Sequence, residues 1–356
     1  MSIETILDST DQSYNYGPEI SKEDCKTMRE RLDLKITTVC DGLIQTHGEQ
    51  LVDTFFNGKT MHMSSVAIIG TYLRRKNEIE HLYICSSIQA LQEKLREIST
   101  MVGDIRAAFV LPNGVESQKK ISTSIYHLGD SEHKVAVCLE KIGADIKIVI
   151  LDSLGTFADE IGKIPEGYEE LSEITSYKHE NLLYGAGALF HFIYRSFTQG
   201  KKPRIFYSSV ERQKTGFGCE TLALRDAVSF LRGPRFFENI KFRKITVIAE
   251  QSLIGIYEIA HLPPVFMKGV QHDDILSEYL DASEGEEFVH LKQCVEKHTV
   301  RVVDPTTQSV IKTQNHYLNH RDLKYNFIVL NMLQKQTMEQ VQAYIAESLL
   351  LAKRVL

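Results

Sequence analysis

The middle of the chain breaks into short apolar runs, each closed by a turn signal. Ala107-Ala108-Phe109-Val110-Leu111 ends at Pro112-Asn113-Gly114. Ile121 to Leu128, His133 to Leu139 and Ile146 to Leu151 follow, rich in β-branched residues and separated by polar or glycine-containing connections. Segments of this make-up fit a pleated, paired surface, so the pattern predicts a mostly antiparallel sheet. Gly143-Ala144-Asp145 is read as one hairpin connection, and Arg204 to Val210 and Ile245 to Ala249 as further strands.

Helical spacing brackets this sheet. In 22–56, Leu32, Ile36, Val39, Leu43, Leu51 and Phe55 supply apolar faces. In 86–102, Ile88, Leu91, Leu95 and Ile98 recur at helical intervals with charges between them, and Ser86 or Ser87 is placed to cap the start. Residues 181–198, 219–231 and 337–354 read as helices too, the last through Met338, Val341, Ile345, Leu349 and Ala352. The expected architecture is α+β, with a helical N-terminal region over 1–100, a core over 101–260 that holds the candidate catalytic residues, and a C-terminal helical, regulatory region over 261–356.

Composition narrows the function classes. A net charge of -6 over 356 residues argues against generic nucleic-acid binding. The six cysteines, at 25, 40, 85, 138, 219 and 294, are scattered without a Cys-x-x-Cys pair, which is neither a disulfide framework nor a zinc pattern. Reduced thiols in a cytoplasmic setting are the simplest expectation. No basic-then-apolar leader and no apolar stretch of roughly 20 residues stands out; specialised export remains open.

Four residues carry chemistry. Cys219 follows Gly216-Phe217-Gly218 and precedes the helical Thr221-Leu222-Ala223-Leu224, so it sits where free N–H groups and the helix dipole favour a thiolate. A lone cysteine in such a place is ordinarily structural, and Glu220 opposes a thiolate. His133 begins one predicted strand and Asp152 ends the next; in a hairpin both fall at one end of the sheet, where the carboxylate could orient the imidazole. His127 is a rival base without an equally placed acid. Gln213, in the loop before Cys219, could join the Cys219 N–H as an oxyanion donor. Each residue alone has a bland reading, but the ordered set points to a cysteine-nucleophile enzyme.

His133-Lys134-Val135-Ala136-Val137, Ile148-Val149-Ile150-Leu151-Asp152-Ser153 and Arg212-Gln213-Lys214-Thr215 through Cys219 resemble the CE clan of cysteine peptidases, in the order His, acid, Gln, Cys. Leu262-Pro263-Pro264-Val265-Phe266-Met267-Lys268-Gly269-Val270-Gln271, followed by Leu276-Ser277-Glu278-Tyr279-Leu280, is similar to a segment of the YopJ family of bacterial effector acetyltransferases. The resemblance spans about 105–330 and implies a ubiquitin-like-protease-like, papain-related core with flanking helical segments. This chain departs from the pattern at Gly218, where an acidic residue is usual, and at Glu220, where a small one is common. Its acid is Asp152 where many YopJ relatives use Glu, and its 155–203 stretch is long.

The resemblance implies transfer of an acetyl group from acetyl-CoA through Cys219 to Ser, Thr or Lys of a host target protein, with inositol hexakisphosphate as activator. Lys268, His272, Lys292, Arg321 and Lys324 are the basic candidates for the polyanions. Two other classes stay open at this point. One is a deubiquitinase or ubiquitin-like-protein protease of the same clan, with ubiquitin or a relative as partner. The other is a catalytically weak module that binds a host protein. Delivery into a host by a specialised bacterial system is part of what the resemblance implies.

Overall fold

The computed structural model describes residues 63–112, 133–153, 202–213, 219–249, 252–267, 273–282, 299–303, 310–315 and 335–353, apart from positions 87, 209 and 239, together with isolated positions between these stretches. The expectations for 22–56 and 121–128, for His127 and for the Gly216-Phe217-Gly218 turn lie outside the described residues. Along the chain run α1 (Met63–Asn77), β1 (Leu82–Ile84), α2 (Ile88–Thr100), β2 (Ile105–Pro112), β3 (Lys134–Ile142) and β4 (Asp145–Leu151). Then come β5 (Arg204–Ser208), α3 (Cys219–Arg232), β6 (Phe242–Ala249), β7 (Ser252–Ile259), α4 (Pro264–Met267) and α5 (Asp273–Asp281). The last are β8 (Thr299–Val303), β9 (Val310–Asn315) and α6 (Met338–Lys353). Within the predicted helix over 181–198, the described positions 189–190, 193–194 and 196 are helical.

Seven strands form one sheet in the order β1-β2-β3-β4-β5-β7-β6. The expected β3–β4 hairpin is present: Ile142 pairs with Asp145 across a Gly143-Ala144 turn, and Gly143 takes a φ of 56°, which glycine adopts at little cost. The sheet is mixed, however, rather than mostly antiparallel. β1–β2, β4–β5 and β5–β7 are parallel pairs, and β2–β3, β3–β4 and β6–β7 are antiparallel. The tight turn between β3 and β4 and the short link between β6 and β7 impose antiparallel pairing, whereas the links after β1, β4 and β5 carry the chain back to the same end before it pairs in parallel. β7 and the β8–β9 hairpin were not expected; the second lies in the C-terminal stretch read as helical, where Thr299, Val300, Val302 and Val303 are all β-branched.

Both faces of the sheet are covered. Ala108, Val110, Ala136, Cys138, Val149 and Leu151 join a core with residues of α1, α3 and α6. Their neighbours Phe109, Leu111, Val135, Val137, Ile148 and Ile150 join a second core with Ala90, Leu91, Leu95 and Ile98 of α2. This two-residue alternation between two cores explains why these strands read as unbroken apolar runs.

Helix α3 lies deep in the first core, and its polar residues Glu220, Thr221, Arg225, Asp226 and Ser229 are buried with the apolar ones. Its far end is fixed by Arg106 of β2, which donates to the Phe230, Gly233 and Pro234 carbonyls and stacks over the Phe230 ring. These carbonyls have no partner within the helix, so a cation there satisfies them and complements the dipole. The other end of α3 begins at Cys219.

Candidate active site

The site forms where β4 and β5 end and β3 begins. His133 immediately precedes β3, Asp152 immediately follows β4, and His133 Nε2 lies 2.7 Å from Asp152 Oδ1. Asp152 is 1% exposed, so this carboxylate meets the imidazole out of bulk water. With Nε2 engaged by the carboxylate, Nδ1 is the nitrogen on the opposite side of the ring that can take up a proton.

Ser153 joins this pair to the next strand. Its carbonyl accepts from the Arg212 N–H at 2.7 Å and from the Gln213 N–H at 2.9 Å. Its hydroxyl donates to Gln213 Oε1 at 2.7 Å. The segment after β4 and the segment after β5 are thereby laced together at the site.

Cys219, 1% exposed, stands at the first residue of α3. A hydrogen bond from the Lys134 main chain reaches its sulfur, which sets the thiol against the residue next to His133. Burial pushes the Cys219 thiol well above its usual range, and the Glu220 carboxylate adds to the rise, while the Lys134 bond opposes it. In this resting arrangement the proton is held on sulfur, and a thiolate forms only if a base removes it. Because the rise has an anionic contribution, Glu220→Gln is expected to lower the thiol pKa. Iodoacetamide alkylation of Cys219 should then speed up several-fold at neutral pH and its pH–rate profile move to lower pH. An unmoved profile would show that Glu220 carries no weight at the sulfur.

Behind the site, Arg212 is fully buried and pairs with Asp226 of α3 through both oxygens, at 2.8 and 2.5 Å. It also donates to the Phe266 carbonyl at 3.2 Å, and Arg225 donates to the Val265 carbonyl at 3.2 Å. The residue before Gln213 is thus clamped to the helix that carries Cys219, and α4 is tied to both. Charge-assisted bidentate pairs of this kind fix orientation as well as distance.

All four predicted residues are therefore drawn into one region: His133 to Asp152 directly, Gln213 through Ser153, and Cys219 through Lys134. Of the basic candidates, Lys292 is helical and half-buried, while Lys268, His272, Arg321 and Lys324 lie outside the described residues. Reading the sequence did not single out Ser153, the Arg212–Asp226 pair or the Lys134 main chain. Asp226 lies seven positions after Cys219, two helical turns on, and that spacing beside an Arg-Gln pair was the available signal. Among the described residues no group of three or more His, Cys, Asp or Glu could hold a metal ion. Cys85, Cys138 and Cys219 are buried thiols outside any disulfide. No helix among the described residues is long and apolar enough to cross a membrane.

Among curated proteins, none matches this chain in sequence. Solved structures similar to it include HopZ1a in complex with IP6, at 13% identity and a TM-score of 0.47 over 87% of this chain and 98% of that one. HopZ1a with IP6 and CoA gives 14% identity and a TM-score of 0.43 over 86% and 98%. AvrA delL154 with IP6 and CoA gives 12% identity and a TM-score of 0.43 over 87% and 98%. The family model described as YopJ Serine/Threonine acetyltransferase matches residues 74–345, a span that takes in the whole constellation from His133 to Cys219. The chain belongs to the YopJ serine/threonine acetyltransferase family.

Proposed function

We propose that this protein transfers an acetyl group from acetyl-CoA to a hydroxyl or amine of a target protein, with Cys219 as the covalent carrier. His133 is the base, Asp152 its orienter, and Gln213 with the Cys219 N–H the oxyanion donors. The observation that supports this most is the 2.7 Å His133–Asp152 bond at the residue whose neighbour, Lys134, reaches the Cys219 sulfur.

In the first half-reaction, His133 Nδ1 takes the thiol proton and the sulfur attacks the thioester carbonyl carbon. The oxygen gains the electron pair and is stabilised by the Gln213 amide and the Cys219 N–H. Collapse breaks the bond to the CoA sulfur, which leaves with the proton from His133. In the second, His133 takes a proton from the acceptor side chain, whose oxygen or nitrogen attacks the acetyl carbonyl, and the Cys219 sulfur departs with that proton returned from His133. The raised thiol pKa suits this course, since a proton that stays on sulfur until the base acts protects a buried nucleophile from stray chemistry.

Inositol hexakisphosphate is the activator that family membership implies, and the IP6-bound relatives agree with it. Lys292, with Lys268, His272, Arg321 and Lys324, would supply the cations; such a ligand contributes charge and order rather than reacting atoms. The catalytic core is assigned to 101–260, between an N-terminal region over 1–100 and a regulatory region over 261–356. The target is a host protein, reached by secretion into the host cell.

Intact-mass analysis of wild type and Cys219→Ala, with acetyl-CoA in the presence and absence of inositol hexakisphosphate, tests this reading. An acetyl adduct that wild type gains and Cys219→Ala lacks is the expected result. A parallel arm uses ubiquitin bearing a C-terminal electrophile; a Cys219 adduct there without acetylation would move the protein to the clan's proteases.

A further inference from the structure

A glutamine serves an oxyanion through Nε2 alone. Its amide is nearly symmetric in shape, and a half-turn about its last torsion would present Oε1, whose partial negative charge repels the developing anion. The side chain also has three rotatable bonds, and holding it in one pose costs rotamer freedom. A site that relies on Gln213 therefore needs something that both immobilises the amide and distinguishes its two ends.

Ser153 meets both needs. Its carbonyl takes the main-chain N–H groups of Arg212 and Gln213, at 2.7 and 2.9 Å, which fixes where the Gln213 side chain starts. Its hydroxyl donates to Oε1 at 2.7 Å, which fixes how the side chain ends. Ser153 is 2% exposed and Gln213 3% exposed, so water does not readily replace either partner. In a flipped amide Nε2 would donate to the Ser153 oxygen instead, and the buried hydroxyl hydrogen would lose Oε1 as its acceptor, which is unfavourable. The bond thus favours the pose in which Oε1 faces Ser153 and Nε2 faces away from it. Ser153 also follows Asp152 directly, so one two-residue segment orients the base on one side and the oxyanion donor on the other.

We propose that Ser153 is a positioning residue for acyl transfer, setting the orientation of the Gln213 amide rather than touching the substrate. This rests on the reading of Gln213 as oxyanion donor. It separates two reactions of the same sulfur. Attack on a thioester passes through a tetrahedral oxyanion, whereas alkylation by iodoacetamide is a direct displacement at carbon with no oxyanion. Loss of Ser153 should weaken the first and spare the second.

The test compares wild type, Ser153→Ala, Gln213→Ala and the double variant. Single-turnover acetylation of Cys219 by acetyl-CoA with inositol hexakisphosphate is followed by intact mass, beside the rate of iodoacetamide alkylation. Ser153→Ala is expected to slow acetylation by about 10- to 100-fold and to leave alkylation within about 2-fold, since the thiol and its base are unchanged. The double variant should be no slower than Gln213→Ala, because Ser153 acts through that amide. Effects of the two substitutions that multiply, or alkylation that falls in step with acetylation, would show a merely structural role and overturn the proposal. So would an unaffected Ser153→Ala beside a slowed Gln213→Ala. If wild type gains no acetyl group on Cys219, or Gln213→Ala acetylates at the wild-type rate, the underlying functional reading fails and takes this inference with it.

Discussion

Asp152→Asn is expected to slow acetylation of Cys219 by about 10³- to 10⁴-fold while leaving the protein folded. The carboxylate oxygen lies 2.7 Å from His133 Nε2 in a position 1% exposed, so its charge acts on the ring with little screening. An asparagine of the same shape fills the space but removes that charge. Its oxygen, if it faces the ring, no longer stabilises the imidazolium that forms when the thiol is deprotonated. Its NH2 group, if that faces the ring instead, donates to Nε2 and shifts the ring proton to Nδ1, where it blocks uptake of the thiol proton. Either pose disables the base. Single-turnover intact-mass kinetics reads the effect, with circular dichroism as the check on folding. A decrease smaller than about 10-fold would remove Asp152 from the role of orienter.

The second large effect concerns stability. Asp226→Ala leaves the Arg212 guanidinium, fully buried, without its carboxylate, and should cost about 3–5 kcal/mol in urea unfolding. The Phe266 carbonyl, at 3.2 Å from Arg212, is a neutral acceptor and does not replace a charge. The reverse truncation, Arg212→Ala, is expected to destabilise as well. The informative comparison is Arg212→Met with Asp226→Leu, which removes both charges and fills their volume. That double variant should be more stable than either truncation, because the penalty lies in the unpaired charge. It should nevertheless acylate slowly, since Gln213 would lose its tie to the helix that carries Cys219. A loss under about 1 kcal/mol for Asp226→Ala would mean that water or another group reaches Arg212.

Much of this was legible in the chain because the information was local. The turn at Gly143-Ala144 and the strands on either side follow from spacing and residue type, and they put His133 and Asp152 at one end with no further input. Cys219 at a helix start was legible from the glycines of Gly216-Phe217-Gly218 in the sequence and the apolar spacing after them. Strand direction was not, because parallel pairing of β4 with β5 depends on where the intervening connection returns, and no residue in either strand records that. The partners of Gln213 were hidden for the same reason. Ser153 and Arg212 are unremarkable in sequence, and their roles exist only because the ends of two parallel strands meet. The burial of Glu220 beside the thiol likewise depends on how α3 is enclosed, and it turns a suspected departure from the family pattern into a specific electrostatic effect.

The covering of both sheet faces has a consequence for how such a protein can diversify. Alternate residues of β2, β3 and β4 are committed to two separate cores, so almost any change along these strands is tested against packing before it is tested against a partner. What a target protein can meet is the rim: strand ends, helix starts and the connections between them. Connections lengthen at small entropic cost, so preference for one target over another can drift there while the reaction centre, anchored in the strands, stays still.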